Sequence, residues 1–332
     1  MKFVEIKKIH IFLSVFIFTI ILALIINPKT YMDSTLNGLT VWLTCVVPSL
    51  FPFFFFTKLL TKLKLVSKIS KAFCPITQKL FNVPGISSYI FFMSVISGYP
   101  VGAKLISESF KSGQITNAQA TRMNAFCSTS GPFFIIGTVG VGMFYSKTAG
   151  IIILISHLLG AILNGLLYRN YKKEEKVLLS NLNLAPKQDE DDILKVTMYD
   201  SIISILIVGG YITIFFIIID FLFNFQILST LSYVLQTVFS FTNLPPNFFD
   251  SILSGIVEVT RGCLDLSQSG VNLKLLCVFS TFLISFGGFS IHLQSLSFLQ
   301  SAKIKMSVYF LQKLTHSIIS CFIAYILCLI FL

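Results

Sequence analysis

The stretch from Phe91 to Gly131 recurs without a gap from Phe248 to Gly288, 157 positions further on. At that spacing Phe91, Phe92, Ser94, Ser97, Gly98, Ser112, Gly113, Ser128 and Gly131 meet identical residues, at Phe248, Phe249, Ser251, Ser254, Gly255, Ser269, Gly270, Ser285 and Gly288. Lys104 falls on Arg261 and Glu108 on Asp265, so two charges keep their sign. Both copies lie in strongly apolar sequence, and each is broken by glycine at two places. A chain that repeats its interrupted hydrophobic segments must fold as two related units. That pattern points to the binding site of a secondary transporter.

Composition places those units in a membrane. The 332 residues are 55% hydrophobic and 12% charged, with mean hydropathy +0.84. Several stretches reach the roughly 20 apolar residues that cross a bilayer's hydrocarbon core. A soluble core of this size would need far more charged surface than 25 basic and 14 acidic residues supply. The net charge of +11 is not a nucleic-acid signature, because Lys and Arg sit in the connections between apolar segments, where cytoplasmic loops carry them. The seven cysteines include no CxxC pair and read as buried filler. With no nucleophile–base pair, Walker loop, dinucleotide-binding glycine pattern or zinc spacing, the chain reads as a non-enzyme without metal or cofactor. Coupling to protons or sodium is left open.

The apolar segments give an order of elements. Lys2, Lys7 and Lys8 precede the run Ile9–Ile26, which ends at Asn27-Pro28 without a small-residue cleavage site, so residues 1–30 read as an uncleaved transmembrane helix. A second span covers 38–60. Lysines alternate with Leu63, Leu65, Ile69, Phe73 and Phe81 over 61–82, which suits a helix lying in the membrane interface and ending at Asn82-Val83-Pro84. Segments 86–110, 124–145 and 148–170 complete a first repeat over 38–170. After a cytoplasmic loop at 171–195, residues 196–332 form the second repeat: a span at 196–223, a less hydrophobic stretch at 226–242, Asn243-Leu244-Pro245, the repeated motifs, and a last helix at 306–331.

Charge bias orients these elements. Lysine-rich 61–82 and the cluster Arg169, Lys172, Lys173 and Lys176 belong on the same cytoplasmic side, yet three apolar segments lie between them. One must turn back as a re-entrant hairpin, and glycine-broken 86–110 is the natural choice. No Lys or Arg occurs between Val196 and Thr260, so 226–242 belongs outside and the two repeats are inverted. The acidic residues Asp189–Asp192 read as solvated linker charges.

The breaks carry the candidate site. Gly98, Tyr99, Pro100 and Gly102 stop a helix within five residues, and Lys104 follows one turn later. Non-helical backbone at membrane depth is tolerated only when buried in protein or lining a wet cavity; a packing kink is the alternative. Ser128, Thr129, Ser130 and Gly131 offer hydroxyls ahead of a half-helix starting near Pro132, although small residues also serve close helix packing. In the second copy Glu258, Thr260 and Arg261 follow Gly255. Glu258 and Arg261 either pair on one helix face, or Arg261 joins Lys104 on the ligand while Glu258 couples a proton or cation. Ser285, Gly287, Gly288, Ser290 and His292 form the last break, with His292 either shuttling protons or packing. His10, His157 and His316 lack comparable surroundings. Gly98, Gly102, Gly255, Gly287 and Gly288 are expected at the non-helical turns. Gly137-Thr138-Val139-Gly140-Val141-Gly142, without Lys-Ser/Thr, reads as helix-packing surface.

The segments 97–104, 124–132 and 254–262 together resemble the sporulation integral membrane protein YlbJ family, which carries the nucleoside-recognition Gate domain and is similar to concentrative nucleoside transporters. The resemblance covers nearly the whole chain from Thr40 onward. It implies an all-α integral membrane protein with a role in endospore formation and spore cortex maturation. It further implies a multi-pass protein of the outer forespore membrane that moves dipicolinic acid out of the mother cell. The expected partners are therefore a small anion and the lipid bilayer, without nucleic acid, in a possible homo-oligomer. A nucleoside-type transporter and a non-transporting scaffold are the alternatives.

Overall fold

The computed structural model describes residues 2–63, 65–172 and 193–332. Lys64, Lys173, Lys176, Asp189–Asp192 and most of the expected loop at 171–195 lie outside the described residues, as do the side chains of Lys2, Lys7, Lys8 and His10. The described residues contain helices and no strand.

In the first half, α1 (Lys2–Ile26) is followed by α2 (Pro28–Val41), where Pro28 takes the first helical position and lacks only an N–H that would go unpaired anyway. Helix α2 passes through a π-helical turn, Trp42–Val46, into α3 (Val47–Lys62). Then come α4 (Leu65–Phe81) and α5 (Ile86–Ser97), with a bend of 103° between Lys71–Phe81 and Ile86–Ser97. Next are α6 (Val101–Lys111), α7 (Asn117–Asn124), a π-helix at Phe134–Met143, and α8 (Lys147–Tyr168). The second half runs α9 (Ile193–Asn224), α10 (Ile227–Val238), a 3-10 turn at Ser240–Thr242, α11 (Pro246–Val257), α12 (Val259–Ser267), α13 (Leu273–Phe286), α14 (Gly288–Leu299) and α15 (Met306–Phe331).

Pro28–Leu60, Lys147–Tyr168, Ile193–Asn224, Leu273–Leu299 and Met306–Phe331 are each long and apolar enough to cross a bilayer. Their outer faces present Leu206, Ile214, Leu314 and Phe322 without a protein partner layer, as lipid-facing helices do. The chain is an all-α integral membrane protein.

The order of elements repeats. Each half has a span, an amphipathic helix, a helix–break–helix unit, an interrupted helix and a closing span. The backbone repeats with it: Asn82 and Asn243, which end the amphipathic stretches, both turn left-handed at φ 53° and 52°. Asn tolerates that conformation because its short side chain can bond locally. Gly113 and Gly270 do the same at φ 72° and 77°. Counterparts also pack on one another, α2 and α3 against α9, and α8 against α15. The indole of Trp42 donates to the Ile205 carbonyl at 3.1 Å, and Lys58 on α3 donates to the Asp200 carbonyl and to Ser204 on α9.

The helix–break–helix arms are short. α5 has 12 residues, α6 11, α11 12 and α12 nine. At 1.5 Å per residue each reaches only about 14–18 Å, against a hydrocarbon core of about 30 Å. None can cross alone.

Candidate functional site

The four breaks meet at one cavity of about 90 Å³. On the scale at which a water occupies about 10–15 Å³ that is room for roughly half a dozen waters. Ser97, Gly98 and Tyr99 come from the break between α5 and α6, and Ser130, Gly131 and Phe134 from the break before the π-helix. Glu258, Val259 and Thr260 come from the break between α11 and α12, and Ser290, Ile291 and Gln294 from the start of α14. Val46, Leu50, Phe53 and Phe54 of the second span and Val208, Tyr211 and Ile212 of α9 close it with apolar surface. Four half-helices thus begin at or beside the cavity wall. Each N-terminus carries about half a positive charge.

Local chemistry fixes each break. Gly98 adopts φ 74°, where a side chain would be strained, and is followed by a cis Tyr99-Pro100 bond. Glu258 breaks the second unit without glycine. Its backbone is extended and its carboxylate accepts the Arg261 N–H at 2.7 Å, capping α12 as a short acidic residue would. Gly287 and Gly288 are left-handed, at φ 98° and 59°.

Of the candidate residues, Gly98, Tyr99, Ser130, Gly131, Glu258, Thr260 and Ser290 line the cavity. Pro100 is the N-cap of α6 beside it. Thr129 and Ser285 stand one layer behind: Thr129 exchanges a 2.9 Å hydrogen bond with Ser94, and Ser285 pairs with His157 Nδ1 at 2.8 Å. Ser128 offers its backbone carbonyl to Lys313, and its hydroxyl is buried.

Other expectations are corrected. Lys104 is more than half exposed and lies 4.0 Å from Glu108, one turn along α6. Arg261 is held by Asp265 at 2.9 Å and by Asp220 of α9 at 3.4 Å, over the ring of Phe216. Neither cation lines the cavity, and the expected pair facing a shared pocket is not formed. The aligned charges of the two repeats make the same i,i+4 ion pair in each copy. Glu258 does not pair with the Arg261 guanidinium; it caps the backbone. Gly102 and Gly255 are not turn residues but helical ones at close approaches. A Cβ on Gly102 would lie 1.7 Å from the Cys127 carbonyl oxygen, and Gly255 faces Gly262 across α11 and α12. His292 is outside the cavity, bonded to the Tyr309 hydroxyl at 3.0 Å and ringed by Phe286, Phe289 and Phe310. The glycine-rich segment 137–142 packs, with Gly140 against Gly150.

What sequence reading passed over lies behind the cavity. Lys313 on α15 is 2% exposed. Its ammonium donates to the Tyr99 hydroxyl at 3.2 Å and the Ser128 carbonyl at 3.0 Å, and sits 4.3 Å from the centre of the Tyr99 ring. His157 Nε2 accepts the Ser130 N–H at 2.9 Å, so its Nδ1 carries the proton toward Ser285 and the ring is neutral. His316 Nε2 bonds to the His157 carbonyl at 3.0 Å, and the two rings are 4.8 Å apart. They occupy matching places on the closing spans of the two halves. A charge at the bilayer centre costs about 2.5–3.5 kcal/mol on insertion scales, and such residues mark functional pathways. The signal was present in the sequence. Gln312, Lys313, His316, Ser317 and Ser320 form a helical stripe of polar residues in an otherwise apolar last span.

A membrane protein whose interrupted helices meet at one cavity, walled largely by apolar side chains with polar groups set among them, is the class that this fold and site define. Residues 43–149, which include the first helix–break–helix unit and the following break, match the family model Gate, described as nucleoside recognition. Over 333 aligned positions the chain is 29% identical to the sporulation integral membrane protein YlbJ of Bacillus subtilis (strain 168), covering 95% of this chain and 82% of that protein. Both findings agree with the resemblance read from the motifs. No solved structure matches.

Proposed function

We propose that the chain is a transporter of sporulating cells that carries a small anion, dipicolinate fitting best, from the mother cell across the outer forespore membrane. The observation that carries this reading is the convergence of all four interrupted segments on one cavity. Transporters bind substrate where broken helices aim their N-termini at anionic groups. Gly98, Tyr99, Ser130, Gly131, Thr260, Ser290 and the missed Gln294 are then the substrate contacts, and Glu258 holds the α12 terminus in place. Two inverted halves rocking about the cavity would open it alternately to each side. The membrane character, the similarity to a sporulation protein and the Gate match support this reading at its coarser level.

A second reading has its own support. The Gate match is described as nucleoside recognition, and among the described residues no Lys or Arg lines the cavity, while Glu258 and Gln294 can pair with sugar hydroxyls and base amides. Equilibrium binding to the purified protein separates the two. Dipicolinate is expected to bind at least tenfold more tightly than uridine. Tighter binding of uridine would replace the anion reading with the nucleoside one.

A further inference from the structure

We infer that Lys313 supplies the positive charge that recognises a carboxylate substrate, acting through the Tyr99 hydroxyl. This deepens the proposed function and rests on its anion reading.

The geometry starts from an imbalance. Lys313 is buried, and among the described residues no carboxylate lies within ion-pair distance of it. The two groups that its ammonium bonds are neutral, a phenol and a peptide carbonyl. Buried charges are normally paired, and a buried ionisable group in a membrane domain marks a functional site whose partner should be named. Arg122, the other strongly buried cation among the described residues, is bonded to the Tyr171 and Lys172 carbonyls where α8 ends. Lys313 is thus a buried cation to which no carboxylate among the described residues is paired.

Tyr99 connects it to the cavity. The ring lines the cavity wall with the ammonium against its face, and the hydroxyl takes the ammonium's hydrogen bond. The Tyr99 proton is aimed at the Ile284 carbonyl at 3.4 Å, a long bond for an O–H donor. A substrate carboxylate can take over as acceptor of that O–H. The chain carboxylate, Tyr99 hydroxyl, Lys313 ammonium then forms, in which each bond polarises the next. A neutral amide of the same shape can accept the O–H too, but without a charge it makes the weaker bond. Lys313 and Tyr99 thus set specificity for anions, the role that Lys104 and Arg261 do not fill.

The test is calorimetric titration of the full-length protein in detergent with dipicolinate and with its neutral diamide, pyridine-2,6-dicarboxamide. Wild type is expected to favour the dianion at least tenfold. Lys313→Met should lose at least tenfold in dipicolinate affinity while its diamide affinity stays within threefold. Tyr99→Phe should lose dipicolinate affinity severalfold, with a smaller loss for the diamide. Ligand-free Lys313→Met should also melt above wild type, since the unpaired charge is gone; if that variant does not fold, Tyr99→Phe carries the test alone. Dipicolinate affinity within twofold of wild type in either folded variant overturns the assignment. If wild type binds dipicolinate no better than the diamide, the anion reading falls and takes this assignment with it.

Discussion

Glu258 and Arg261 sit three residues apart and do different jobs, which single substitutions separate. Replacing Glu258 by Ala removes the carboxylate that accepts the Arg261 N–H and should cost about 0.5–2 kcal/mol, as lost N-caps do. Gln keeps an acceptor oxygen, so thermal unfolding in detergent should rank wild type above Glu258→Gln above Glu258→Ala; equal melting of all three would deny the cap. Arg261→Ala leaves Asp220 and Asp265 facing each other without their cation. Lys104→Ala breaks only an exposed pair at 4.0 Å and should leave both stability and transport unchanged, because such pairs contribute at most about 0.5 kcal/mol. A large loss of stability or transport in Lys104→Ala would contradict that expectation. The sequence showed that these charges recur, but not which way they point. Two positions with conserved sign in a repeat can serve a ligand or an ion pair equally well. Lys313 was passed over because it has no counterpart in the repeat, although its stripe of polar neighbours in a long apolar run was a signal for it.

At the level of elements, breaks written in glycine and proline were legible and the break at Glu258 was not. Gly98 and Gly287-Gly288 interrupt helices where positive φ is needed, and the chain reads that way. The second unit turns instead on an extended glutamate, and its glycines serve close packing within helices. The contrast makes a prediction. Gly102→Ala drives a methyl onto the Cys127 carbonyl, a backbone group that cannot swing aside, and so pushes α6 off the break that supplies Ser130. Overpacking of this kind costs about 1–3 kcal/mol, and transport should be lost while membrane insertion persists. Gly113→Ala meets open space and only the strain of φ 72°, on the order of 1 kcal/mol. Full transport in Gly102→Ala would show that this contact does not position the site.

For the whole molecule, the order of helices and most of their bounds followed from apolar lengths. The last helix was expected at 306–331 and is Met306–Phe331. The packing of α8 on α15, which brings His157 to His316, was beyond reach because periodicity within a helix does not say which helix it meets. Inversion of the two halves is a claim about sides of a membrane and is tested there. Single cysteines placed at Asn82 and Asn243, in protein freed of its seven native cysteines, should react with a membrane-impermeant maleimide from opposite faces. Labelling of both from one face would make the halves parallel. The central claim, that the cavity joining the four breaks is a transport site, is tested most directly by uptake into liposomes holding the purified protein. The account predicts saturable dipicolinate uptake that excess dipicolinate competes and uridine does not, and that falls at least tenfold in Ser130→Leu, whose side chain would fill the cavity. Uptake no faster than through protein-free liposomes, or undiminished by Ser130→Leu, would contradict it.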